Sequence, residues 1–132
     1  MDVERLRRLE LFGELDHHDL SAVTRWVGEV ELAEGDLLIE EGTLPYELFV
    51  IEEGSAVVEH GGRVLATLGA GDVVGEMALI RQERRGASVR ASTPIRALAI
   101  SVEEFHEMAQ EMPEIAAQLR STAERRRLQN EP

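Results

Sequence analysis

The chain is 132 residues long, with 14 basic and 26 acidic side chains, a formal net charge of −12, 43% apolar residues and no cysteine. That length suits one domain whose core removes roughly two thirds of the unfolded surface from water, and the apolar content excludes a disordered chain. The acidic balance argues against nucleic-acid binding, which needs a basic face, while the absent cysteines exclude disulfides and any thiolate metal site.

The first stretch, MDVERLRRLELFGEL, is too charged for a signal peptide. No run approaches the roughly 18 apolar residues of a membrane span, so a cytoplasmic protein without a membrane segment is expected. Over 3–27, Leu6, Leu9, Phe12, Leu15, Leu20, Val23 and Val27 recur three to five apart, the helical period. Gly13 and the 16–19 stretch divide this region into two short helices, with Asp16 as N-cap of the second. These N-terminal helices are expected to fill 1–28.

Between 29 and 100 the period changes to two. Glycines at 35, 42, 54, 61, 62, 69, 71 and 75 cut the segment into short pieces rich in Val, Leu and Ile, among them LLIE, ELFVIE, AVVEH and RVLATL. Short strands at such spacing predict an antiparallel barrel or jelly roll. Gly61-Gly62 reads as a two-residue hairpin turn, because both positions adopt positive φ cheaply. After a break at 75–85, ASVRA and IRALAI make two more strands around Thr93-Pro94. Ser101 is then the N-cap of a helix, with Glu104 completing a capping box. Pro113 opens a last helix, where its missing N–H costs nothing. Met112, Ile115, Leu119, Thr122 and Arg126 follow at spacings of 3, 4, 3 and 4, too few heptads for a coiled coil. Helices thus fill 101–130, no linker divides the chain, and 1–132 reads as a single domain.

The stretch 71–89, GDVVGEMALIRQERRGASV, carries the chemistry. A strand ends at Val74, Gly75 permits a tight turn, and Glu76-Met77-Ala78-Leu79 favour a helical turn. Unpaired N–H groups at such a turn suit a phosphate. Arg85 precedes the next strand, so its guanidinium can fold back beside those amides and grip two phosphate oxygens. Glu76 is an acceptor suited to a ribose hydroxyl. A ligand with one phosphate charge and one free ribose hydroxyl fits; a nucleoside triphosphate does not, since no G-x-x-x-x-G-K-[ST] is present. The competing reading of Glu76 and Arg85 is a buried ion pair that stabilises a turn and holds no ligand.

At these residues the sequence resembles the cyclic nucleotide-binding domain family. That family's phosphate-binding cassette runs F-G-E-[LI]-A-L, five residues, then R-[AST]-A-[ST]-V. Here V-G-E-M-A-L at 74–79 is followed by five residues and R-G-A-S-V at 85–89. Upstream, Leu11-Phe12 and Leu15 look like the family's opening helices, Gly35-Asp36-Leu37-Leu38-Ile39 with Gly42 its first hairpin, and Leu48-Phe49-Val50-Ile51 with Gly54, Ala56 and Val58 its central strands. Leu68-Gly69-Ala70-Gly71-Asp72 leads into the cassette in the same way. The resemblance implies a mostly β fold, an eight-stranded antiparallel β-roll or jelly roll over 29–100 with its cassette at 74–89, plus N-terminal and C-terminal helices.

It further implies a ligand site made by Val74, Gly75, Glu76, Met77, Ala78, Arg85, Gly86, Ala87 and Ser88. Glu76 would accept from the ribose 2′-hydroxyl and Arg85 would pair with the cyclic phosphate. Amides of Met77, Ala78 and Ala87 would serve the phosphate oxygens, with Ser88 nearby. Three positions depart from the pattern. Val74 replaces an aromatic, Arg84 replaces a proline and is a second candidate for the phosphate, and Gly86 stands where members preferring cyclic GMP carry a threonine. Cyclic AMP is therefore favoured over cyclic GMP as ligand, with no other cofactor. No aromatic lies in the last helix to cover the base, leaving Leu119, Arg120 and Ala123 as candidates.

The expected protein is a cyclic nucleotide-binding sensor or regulatory module; the alternative is a degenerate module of the same fold with no nucleotide ligand. No helix-turn-helix, kinase or channel segment is visible, so output is expected through a homodimer along the C-terminal helix or a separate effector protein. No catalytic residue and no metal site are expected. His17 and His18 are adjacent and point about 100° apart on a helix, and His60 and His106 are scattered. Arg120 and Arg125-Arg126-Arg127 complement a helix C-terminus or form a docking site for an acidic partner. Trp26 and Phe105 are assigned to the core.

Overall fold

Each N-terminal helix starts at an aspartate. A computed structural model describes residues 2–75 and 83–130, excluding the side chains of 122, 123 and 126–130, and places α1 at Val3–Arg7 and α2 at His17–Val23. The Asp16 carboxylate accepts from the Asp19 N–H at 2.8 Å, as its N-cap position requires. Both helices are shorter than the 3–27 periodicity predicts. The remainder is taken up by 3-10 turns at Glu10–Phe12 and Thr24–Trp26, which still bury Leu11, Phe12 and Trp26.

Eight strands follow: β1 Gly28–Leu32, β2 Leu37–Ile39, β3 Glu47–Glu53, β4 Ala56–His60, β5 Arg63–Leu68, β6 Val73–Val74, β7 Ser88–Ala91 and β8 Ile95–Ser101. They form two four-stranded antiparallel sheets, ordered β1-β8-β3-β6 and β2-β7-β4-β5. This is the β-roll expected from the sequence. The 35–42 stretch, likened to a first hairpin, holds one strand, β2, and β1 and β2 lie in different sheets, β1 beside β8 and β2 beside β7. The Asp36 carboxylate accepts from the Ala33 N–H at 2.9 Å, and the Gly35 N–H donates to the Ala91 carbonyl at 2.8 Å. Those bonds carry the chain across to the second sheet.

Glycines shape two turns of the roll. Gly61 and Gly62, at φ 57° and 78°, close the β4–β5 hairpin with His60 opposite Arg63. Gly54, at φ 98°, turns from β3 to β4 so close to the 93–94 bend that a Cβ would lie 2.3 Å from the Pro94 carbonyl oxygen.

The central strands of the first sheet, β3 and β8, are buried on both faces, which is why they read as nearly continuous apolar runs. Phe49, Ile51, Val74, Ala97 and Ala99 face the second sheet with Ile39, Ala56 and Val89. Leu48, Val50, Val73, Leu98 and Ile100 face the helices, packing with Phe12, Trp26, Phe105 and Leu119. Helix α3, Val102–Glu111, starts with the predicted capping box, Ser101 and Glu104 exchanging bonds of 3.0 Å. Helix α4 spans Pro113–Asn130 and buries Ile115, Ala116 and Leu119. An ion pair ties α1 to the roll: Arg5 Nε and Nη2 donate to the two Glu52 oxygens at 3.0 and 2.6 Å, and Nη1 donates to Glu29. Among the described residues no helix is long and apolar enough to cross a membrane.

Candidate functional site

β6 is only two residues long, Val73 and Val74 pairing with Val50 and Phe49. Its entry is clamped, the Gly69 N–H donating to the Asp72 carboxylate at 2.8 Å and the Gly71 N–H to the Ile51 carbonyl at 2.7 Å. Its exit is Gly75, whose φ of +80° turns the chain out of the ladder at the end of the first sheet.

The chain returns to β7 through Arg85. The Arg85 N–H donates to the Thr43 carbonyl at 2.7 Å, and the Gly42 N–H donates to the Arg85 carbonyl at 2.8 Å. From this anchor the side chain, half-buried, reaches back to the first sheet. Nη1 donates to the Gly75 carbonyl at 3.1 Å and Nη2 to the Glu47 carbonyl at 2.6 Å. These two carbonyls orient the guanidinium's planar fork. A cation so oriented at the end of a short strand can receive the two oxygens of a phosphate diester.

Of the residues expected in the site, Gly75, Arg85, Gly86, Ala87 and Ser88 come together at this end of the roll, where 85–88 runs alongside 41–43. The Ser88 hydroxyl accepts from the Glu41 N–H at 2.9 Å. Val74 is buried between the sheets, a wall of the core beneath the site. Glu76, Met77 and Ala78 lie outside the described residues. Arg84, the second candidate for the phosphate, is exposed and donates to the Gly42 carbonyl at 2.8 Å, so its bond leads to the 40–46 loop and not to Gly75.

Several participants escape sequence reasoning. The Gly42 N–H and the carbonyls of Thr43 and Glu47 are main-chain groups with no residue signature, and Ile39 matters only because its Cδ1 lies 3.0 Å from where a Gly75 Cβ would stand. His60 is another. Its Nδ1 contacts the Glu41 carboxylate and lies 3.0 Å from the Gly86 carbonyl oxygen. The hydrogen bond with Glu41 raises the imidazole pKa above its ordinary value, helped by the Glu41 charge and the Gly86 carbonyl. The one available hint was its place beside the Gly61-Gly62 turn, at a strand end. Among the described residues no group of three or more His, Asp and Glu is placed to hold a metal ion.

Of the residues considered for covering a base, Leu119 is buried in the helical core, Arg120 stacks over the Phe105 ring at 5.2 Å, and the Ala123 side chain is outside the described set. Arg125 pairs with Glu10 at 3.6 Å. A separate cavity of about 450 Å³, lined by Arg5, Arg8, Arg96, Glu52 and Glu53 among others, shares no residue with the Arg85 site.

Residues 29–112 match the family model described as cyclic nucleotide-binding domain. The chain is 32% identical over 105 residues to the potassium/sodium hyperpolarization-activated cyclic nucleotide-gated channel 2 of Mus musculus, a match covering 80% of this chain and 12% of that one. It thus spans about an eighth of the channel's length. Among solved structures it is similar to the N-terminal domain of a transcriptional regulator from Streptomyces coelicolor, with 33% identity, a TM-score of 0.74, and coverage of 98% of this chain and 94% of that one. It is also similar to the Thermus thermophilus catabolite activator protein, with 26% identity, a TM-score of 0.75, and coverage of 88% and 57%.

Proposed function

Because the chain belongs to the cyclic nucleotide-binding domain family, we propose that it is a cytoplasmic, non-catalytic sensor that binds a 3′,5′-cyclic nucleotide at the Gly75–Arg85 corner. The single observation that carries this reading is the Arg85 guanidinium, oriented over Gly75 by two main-chain carbonyls. In this reading the cyclic phosphate, a monoanionic diester, pairs with Arg85. The ribose 2′-hydroxyl donates to Glu76, amides of Met77, Ala78 and Ala87 serve the phosphate oxygens, and Val74, Gly75, Gly86 and Ser88 shape the surround. Cyclic AMP is preferred over cyclic GMP, since Gly86 brings no hydroxyl to the base. Output passes through a second copy along α4 or through a separate effector protein.

Charge-assisted hydrogen bonds contribute about 1.5–3 kcal/mol each, so Arg85→Ala should weaken nucleotide binding more than tenfold. Isothermal titration of cyclic AMP and cyclic GMP into the wild-type chain and the variant tests this. Unchanged affinity in Arg85→Ala refutes the role. Absence of any binding or thermal stabilisation by either nucleotide replaces the reading with a ligand-free interaction module.

A further inference from the structure

Three segments meet at His60. The imidazole closes β4, Glu41 belongs to the loop after β2, and Gly86 follows Arg85 directly. Both groups that contact the ring, the Glu41 carboxylate and the Gly86 carbonyl, approach the same nitrogen, Nδ1. Both are acceptors only, so Nδ1 carries a hydrogen whether the ring is charged or neutral. The proton lost on deprotonation is therefore the one on Nε2, and the contacts persist while the charge disappears. Arg63 is its register partner on β5; the same segments also carry Glu59 beside His60, Glu40 beside Glu41, and Glu83, Arg84 and Arg85 ahead of Gly86.

The His60–Glu41 pair is exposed, its side chains 62% and 43% accessible, and exposed pairs add little to stability. Its effect falls on the neighbouring segment. Charged His60 compensates Glu41; neutral His60 leaves a bare carboxylate beside the residue that follows the anion-pairing arginine. We propose that His60 is a positioning residue for the Arg85 segment, tying Gly86 to the β4–β5 hairpin, and that it sets the pH dependence of anion binding, affinity falling as the ring loses its proton. This rests on the function proposed above. A cyclic phosphate diester keeps one negative charge across the neutral range, so the slope reports the protein and not the ligand. The hydrogen bond to Glu41 moves the midpoint above the ordinary histidine value, of about 6.5.

The test combines two measurements on the full chain. NMR follows the His60 ring nitrogens and the Gly86 and Ala87 amides from pH 5.5 to 9, without nucleotide. Titration calorimetry then measures cyclic AMP affinity over the same range for wild type, His60→Gln and His60→Ala. His60 should titrate with Nδ1 protonated throughout, and the two amides should shift with the same midpoint. Wild-type affinity should fall about two- to fivefold across the range, the size expected of one charge acting through solvent. His60→Gln, which keeps a donor but no charge, should lose the slope, and His60→Ala should bind more weakly than His60→Gln. Amides that ignore the His60 midpoint, or a slope that survives in His60→Gln, overturn the proposal. If wild type binds no cyclic nucleotide at any pH, the functional reading fails, and the amide titration still decides whether His60 controls the segment.

Discussion

A Cβ on Gly75 would come within 2.8 Å of Arg85 Nη1 and 3.1 Å of Nη2, so the guanidinium occupies the space that any larger residue at 75 would need. Its φ of +80° calls for glycine, and a Cβ there would push the guanidinium aside.

Gly75→Ala should therefore damage the site and the fold together. Forcing alanine into that conformation costs about 1–3 kcal/mol, and the displaced guanidinium gives up its bond to the Gly75 carbonyl. Chemical denaturation should show the stability loss, and calorimetry should show weakened cyclic AMP binding. Wild-type affinity in a folded Gly75→Ala would mean that the corner does not hold the ligand.

Arg84 and Arg85 are neighbours with different tasks. Arg84 donates to the Gly42 carbonyl from an exposed position, whereas Arg85 reaches Gly75. Arg84→Ala should change nucleotide affinity less than about threefold, as expected of a distant solvent-screened charge. If Arg84→Ala loses binding as severely as Arg85→Ala, the assignment of the phosphate to Arg85 alone is wrong.

Arg5 fastens α1 to the roll through Glu52, whose side chain is 11% exposed. Arg5→Ala strands that carboxylate without its bidentate partner, at a cost of about 1–3 kcal/mol. Thermal unfolding should register a Tm lower by several degrees. An unchanged Tm would show that α1 is held by its buried Leu6 and not by this ion pair.

The capping box at α3 gives a smaller, cleaner effect. Ser101→Ala removes the hydroxyl that accepts from the Glu104 N–H at 3.0 Å, and loss of such a cap costs about 1 kcal/mol. Urea unfolding should show a lower midpoint with an unchanged slope.

The folded-state pKa of His60 is raised, so the stability its pairing adds is fully present below the unfolded value of about 6.5. It disappears as pH rises through the higher folded value. The Tm difference between wild type and His60→Ala should be largest near pH 6 and smaller at pH 9. A difference that grows with pH would contradict the pairing with Glu41.

Local chemistry was legible in the sequence. The Asp16 cap, the Ser101–Glu104 box and the Gly61-Gly62 turn each depend on residues within three positions of one another, so composition and spacing suffice to specify them. The period-two pattern announced strands, and glycine followed by an arginine ten residues later, with the rest of the cassette, indicated the corner. The sheet order was not legible. β1 pairs with β8 and β2 with β7, partners far apart in the sequence, and no local pattern of residues specifies such pairings.

What the amino-acid order determined by itself is therefore the strands and helices, their caps and their turns. Tertiary structure alone decided which arginine turns toward Gly75, which carbonyls aim it, and that His60 meets Glu41 and Gly86. Those choices are made by main-chain oxygens and by side chains from segments far apart in the sequence. Such atoms leave no mark in a linear pattern until the two sheets close and bring them within hydrogen-bond reach.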